Sequence, residues 1–173
     1  ALMLDADLFR FLDSESDRLG RLDKDVMVEA VARSAAIKAG VVSLDEKEIG
    51  LRTVLNYGHT IAHGLETASG YDRFLHGEAV SIGMMGAAVI SERLGLITAD
   101  IVEKQRDLLR KYGLPVDCTN IDSAELLRAI ELDKKVRGKK VRWVLLEEIG
   151  KTVIRDDVPS GLLTEVISGL IRS

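Results

Sequence analysis

Three histidines and a few cations carry most of the chemistry open to this chain. His59 and His63 stand four residues apart, and His76 follows in Leu75-His-Gly-Glu78. Imidazoles at i and i+4 converge on one side of a helix, where a borderline metal such as zinc accepts them. The segment His59-Thr-Ile-Ala-His63 has no glutamate between its histidines, which removes the zinc-protease reading. Spacing alone suits a plain hydrogen-bonded or solvated pair as well as a metal pair.

The pair belongs to a longer polar pattern. Arg52, Asn56, His59, His63 and Glu66 are separated by 4, 3, 4 and 3 residues. On one helix running from Arg52 to about Ser69 this predicts a single polar face, with Val54, Leu55, Ile61, Ala62 and Leu65 opposite. Gly58 and Gly64 would then lie inside that helix, and Gly83 and Gly86 inside the next. A glycine there costs about 1 kcal/mol relative to alanine. Close helix–helix packing is the expected reason, and it would bring the helix of His76 against the histidine face.

Lys38 is placed by sequence on the stripe Met27, Ala30, Val31, Ser34, Ile37 and Val41 of a helix predicted over Asp25 to about Val42. Either its stem covers apolar surface or its ammonium faces an anion. Asp133-Lys-Lys135 and Val136-Arg-Gly-Lys-Lys140 form a basic run, most of it solvated. Glu78 is expected to neutralise a helix N-terminus, with orientation of the His76 ring as the alternative.

The elements that must position these residues are mostly helical. Helices are predicted over Leu2–Leu12, from His76 to about Leu94 with Gly95 closing it, from the N-cap Thr98 to about Tyr112, and after Pro159. Ser43-Leu-Asp-Glu46 and Asp122-Ser-Ala-Glu125 read as capping boxes, the second opening a helix to about Leu132. Val141, Trp143 and Leu145, then a Glu147–Gly150 turn and Thr152–Arg155, predict one hairpin. The expected fold is mainly α: one multi-helical domain over residues 1–173 with a small β-hairpin at about 140–155.

Composition narrows the classes. A chain of 173 residues buries roughly 70% of its unfolded surface, enough for a core. A net charge of −4 argues against a nucleic-acid surface. The single cysteine excludes an internal disulfide and a cysteine-rich zinc site, and fits a reducing, cytoplasmic setting. The most apolar run, Ala79 to Ile90, has 12 residues, short of the roughly 20 that span a bilayer. No signal peptide is visible. Opening at Ala1 almost directly in a helical pattern suggests a piece of something longer.

Arg52-Thr-Val-Leu-Asn-Tyr-Gly-His-Thr-Ile-Ala-His-Gly-Leu-Glu66, followed by Leu75-His-Gly-Glu-Ala-Val80, resembles the 3-dehydroquinate synthase family of sugar-phosphate cyclases. Lys38, Asp133-Lys-Lys135 and the hairpin add to the resemblance, which covers essentially the whole chain but only the family's C-terminal, helical domain. It implies a metal, zinc or another divalent ion such as cobalt, held by His59, His76 and a glutamate from a segment just before this chain. It implies that His63 contacts substrate rather than metal, with Lys38, Arg52, Asn56 and Lys135 (or Lys134) binding a phosphorylated sugar acid. Lys38 and His63 are the implied catalytic groups. NAD would be bound mainly by an N-terminal domain outside this sequence, since no glycine-rich phosphate loop occurs here. The complete protein is expected to be a cytoplasmic homodimer of the shikimate pathway, with no nucleic-acid or membrane partner. The isolated chain is expected to be inactive. A related cyclase, the helical domain of a metal-dependent alcohol or glycerol dehydrogenase, and a non-catalytic helical module are the alternatives.

Overall fold

The computed structural model describes residues 1–45, 50–137 and 141–172; the side chains of residues 51 and 133–137 fall outside that description. The order is α1 (Ala6–Ser14), α2 (Ser16–Gly20), α3 (Lys24–Leu44), a 3-10 helix (Leu51–Asn56), α4 (His59–Ala68), α5 (His76–Arg93), α6 (Ala99–Lys111), β1 (Cys118–Thr119), α7 (Ser123–Arg137), β2 (Trp143–Glu148), β3 (Lys151–Arg155), α8 (Ser160–Leu170) and β4 (Ile171–Arg172). The mainly α fold with one C-terminal hairpin is as the sequence predicts.

The apolar run Ala79 to Ile90 forms the centre of α5, and α4, α6, α8 and β2 pack around it. Its two serines are buried but bonded. Ser81 donates to the Pro115 carbonyl, while Ser91 donates to Ala87 O and accepts from Leu146 N–H at 3.0 Å. That last bond docks the hairpin on α5. Strands β2 and β3 pair antiparallel, with a register shift between Leu146 and Glu148. Trp143, Val144, Leu145 and Leu146 are all buried, because β2 lies inside the layers rather than on one face of them. A two-residue parallel bridge between β1 and β4 was not expected.

Glycines set the helix distances. A Cβ on Gly64 would meet Ile130 and Leu126 of α7 at 2.8 Å, and one on Gly86 would overlap Ile61. A Cβ on Gly83 would overlap the carbonyl oxygen of Gly58. Close packing is therefore the reason for Gly64, Gly83 and Gly86, and it adds to a backbone requirement at Gly58.

Three expectations fail. The helix predicted from Arg52 to Ser69 is two pieces. A 3-10 segment ends at Asn56, Gly58 adopts φ +82°, and α4 starts afresh at His59. Gly58 is thus an N-cap and not an interior residue; left-handed φ is open to glycine at little cost. Ser43 is not the cap of a new turn or helix: it lies in the last turn of α3 and donates to Gly40 O, and residues 46–49, where that element is expected, lie outside the described residues. Asp45 caps instead, accepting from the backbone N–H of Gly50 and Arg52 at 2.8 and 2.9 Å; Glu46 lies outside the described residues. The buried stripe of α3 also differs from the predicted one. Val26 and Val41 are buried and Ala30 and Ile37 partly so, whereas Ser34, Val31 and Lys38 are exposed. No helix among the described residues is long and apolar enough to cross a membrane.

Candidate metal and anion site

The α4–α5 contact gathers the three histidines. His59 and His63 come from the first and second turns of α4, and His76 is the first residue of α5. Their ring centroids are 5.7 Å (59–63), 5.5 Å (59–76) and 6.0 Å (63–76) apart. His59 is half-buried, while His63 and His76 are exposed.

Each ring is held through Nδ1. The Nδ1–H of His76 donates to Glu66 Oε1 at 2.7 Å, and that of His63 donates to Glu66 Oε2 at 3.0 Å. The Nδ1–H of His59 donates to the Tyr57 carbonyl at 3.3 Å. These acceptors assign the proton to Nδ1, since an ionised carboxylate and a carbonyl only accept. Burial pushes the Glu66 carboxyl up, but the bonds from His76 and His63 and their charges outweigh it and hold the group below the usual carboxylate range. For His59, burial is the largest influence and pushes the imidazole below its ordinary value. The bond to Tyr57 O opposes this, and charge on His63 or His76 adds to the lowering. A neutral imidazole with Nδ1 engaged and Nε2 open is the form that ligates a metal.

Tyr57 is itself fixed from outside the site. Its ring is buried, and its hydroxyl contacts Gln105 Oε1 at 2.8 Å and Met84 O at 3.2 Å. Gln105 Nε2 donates to the same Met84 carbonyl at 2.8 Å. Burial raises the Tyr57 phenol well above its ordinary value, so it stays a neutral donor.

The remaining predicted residues lie on other elements and do not join one helical stripe. Arg52 and Asn56 lie on the 3-10 helix, before the break at Gly58. Lys38 is exposed on α3, which packs against that 3-10 helix. Lys135 lies in α7, the helix packed on α4, and its side chain is outside the described residues, as is that of Lys134. Lys139 and Lys140 fall outside them entirely. Glu78 accepts from the Leu75 N–H at 2.9 Å and so caps α5; the carboxylate that orients His76 is Glu66. The sequence reading placed Glu66 on the polar face without giving it a role. Its spacing of three from His63 was the available signal.

Among the described residues, no group of three His, Cys, Asp or Glu side chains is arranged to hold a metal ion. The chemistry of the donors nevertheless fits one. His59 and His76 bond through Nδ1, and no described residue bonds either Nε2; a catalytic zinc site needs one further protein ligand.

Fold and site together define a helical domain that gathers three imidazoles and one carboxylate at a shared helix–helix contact. The chain belongs to the 3-dehydroquinate synthase C-terminal family, whose model matches residues 1–136. It is 44% identical over 167 residues to the 3-dehydroquinate synthase of Nitrosospira multiformis, covering 96% of this chain and 46% of the relative. It is 42% identical over 165 residues to that of Thermodesulfovibrio yellowstonii, covering 95% and 46%. The chain thus spans about half the length of the relatives it matches. Among solved structures it resembles a 2-epi-5-epi-valiolone synthase from Streptomyces hygroscopicus with NAD+ and Zn2+ bound. There the TM-score is 0.86 at 25% identity, over 98% of this chain and 48% of that one. A 2-deoxy-scyllo-inosose synthase complexed with carbaglucose-6-phosphate, NAD+ and Co2+ gives a TM-score of 0.58 at 31% identity, over 70% and 35%.

Proposed function

We propose that this chain is the metal- and substrate-binding half of a 3-dehydroquinate synthase, which converts 3-deoxy-arabino-heptulosonate 7-phosphate to 3-dehydroquinate and phosphate in the shikimate pathway. The observation that carries this is the pairing of His59 and His76 across α4 and α5, with each Nδ1 occupied and neither Nε2 bonded by a described residue. Identities above 40% to synthases of that name, against 25% and 31% to the sister cyclases, support this substrate over theirs.

His59 and His76 would hold the divalent ion, with a glutamate from the preceding half of the protein as third ligand. The bound ion would supply Lewis acidity at a substrate hydroxyl, and NAD, held mainly by that preceding half, would supply transient oxidation. The chain's own residues have simpler tasks. Lys38, Arg52 and Lys135 neutralise the substrate carboxylate and phosphate, because a substrate bearing both groups needs fixed cations. Asn56 hydrogen-bonds substrate oxygens and orients the ring. His63, beside the metal pair, exchanges a proton with the substrate. The complete protein would work as a cytoplasmic homodimer.

The test uses the protein extended to the length of its relatives. His59→Ala and His76→Ala should each weaken metal binding by orders of magnitude, while His63→Ala keeps the metal and loses turnover. Unchanged metal affinity in both ligand variants would sink the assignment. The 173-residue chain alone should not turn over the heptulosonate phosphate; turnover would show that nothing outside it is needed.

A further inference from the structure

Glu66 bonds two imidazoles to which the proposed function gives different tasks. Its side chain is 12% exposed, while the two histidines it holds are open to solvent. Each oxygen is committed to a separate Nδ1–H: Oε1 to His76 on the neighbouring helix, Oε2 to His63 one turn back on its own. The two rings lie within 24° of parallel, with centroids 6.0 Å apart.

We infer that Glu66 is a positioning residue that locks His63 and His76 in the same tautomer, so that both present an unprotonated Nε2. The inference rests on the proposed function for what each ring then does; the tautomers follow from the geometry alone. For His76 the open Nε2 is a metal-ligating lone pair. For His63 it fixes the direction of proton movement. The ring can accept a proton from a substrate hydroxyl, the O–H bond breaking as Nε2–H forms, and the resulting imidazolium lies against the Glu66 carboxylate. Neutral His63 held this way cannot first act as a donor through Nε2. The electron pair of the broken O–H bond stays on the substrate oxygen, and one carboxylate orients both the ligand and the base.

The imidazole nitrogens of the 15N-labelled, chelator-treated chain report this directly, about 2 pH units above the ordinary imidazole pKa. The expected pattern is Nδ1–H for both His63 and His76. Glu66→Gln keeps the shape but leaves one accepting oxygen and one donating amide. One ring should then retain Nδ1–H and the other should switch to Nε2–H. Glu66→Ala should release both rings to a mixture of tautomers. Amide spectra confirm that each variant folds. Two unchanged rings in Glu66→Gln, or Nε2–H on both rings of the parent chain, would overturn the inference. In the full-length protein Glu66→Gln should weaken metal binding about 10–100-fold. Parental affinity alongside a switched His76 would overturn the ligand half of the inference. Metal binding that ignores His76→Ala would instead overturn the proposed function, and the tautomer pattern would still decide the role of Glu66.

Discussion

Gly58 and Gly83 meet backbone to backbone: a Cβ on Gly83 would overlap the Gly58 carbonyl oxygen and come within 3.0 Å of Ala62 N. The residue after Gly58 is His59, and Gly83 stands two turns along α5 from His76. This contact therefore sets the spacing between the two imidazoles proposed to share a metal. Gly83→Ala is expected to cost about 1–3 kcal/mol, the usual penalty for overpacking against rigid backbone. Gly169→Ala in α8 is the control, since nothing lies within 4 Å of its Cβ position. It should be neutral or stabilising by up to about 1 kcal/mol. Urea unfolding of the two variants distinguishes them, and equal midpoints would refute the close contact.

The Tyr57–Gln105–Met84 network joins α6 to the turn that precedes His59. Tyr57→Phe leaves Gln105 Oε1 buried without its donor, a loss of about 1–3 kcal/mol. Adding Gln105→Leu removes the orphaned oxygen. The double variant should therefore lose less than the sum of the singles, with a coupling of about 0.5 kcal/mol or more. Strict additivity in a denaturant cycle would show that the groups act separately.

Glu78 and Glu66 separate by measurement. Glu78→Ala removes the acceptor for the Leu75 N–H and should cost about 0.5–2 kcal/mol of stability. It should leave the tautomer of His76 as it is, because that ring bonds Glu66. A nitrogen spectrum of His76 altered by Glu78→Ala would reverse the assignment.

Much of this architecture was legible because it rests on local pattern. The apolar run of α5, the Gly95 stop, the Asp122 cap and the hairpin each arise from neighbouring residues, and each occurs where its signals lie. The polar stripe misled because a 3-10 turn and a glycine reversal advance the chain without disturbing a 4-3-4-3 count of polar residues. Gly58 was visible, yet its role as a break depends on α5 pressing against it. Glu66 shows the same limit. Its bond to His63 is local, whereas its bond to His76 crosses ten residues and exists only through the α4–α5 contact. In α3 the buried side was misjudged because apolar residues occur around most of the helix, leaving periodicity little to select.

Cys118 offers a pH test away from the histidines. It is buried, its thiol faces Leu170 O at 3.6 Å, and burial pushes its pKa up to about 11. The folded thiol should resist alkylation at about pH 8, near the pKa of a free cysteine, and react only when denaturant is added. A thiol whose folded pKa is raised stabilises the fold below its unfolded value. That contribution should be lost as pH rises from the free-thiol value toward 11. Rapid labelling of the native chain would contradict the burial.

The left-handed turn at Gly58 separates two rotational frames. In an unbroken helix, deleting one residue near Arg52 would swing every later side chain by about 100°. Here the winding restarts at His59, so changes in the 3-10 segment need not rotate the imidazoles. The segment that carries Arg52 and Asn56 can be altered while the imidazoles keep their aim.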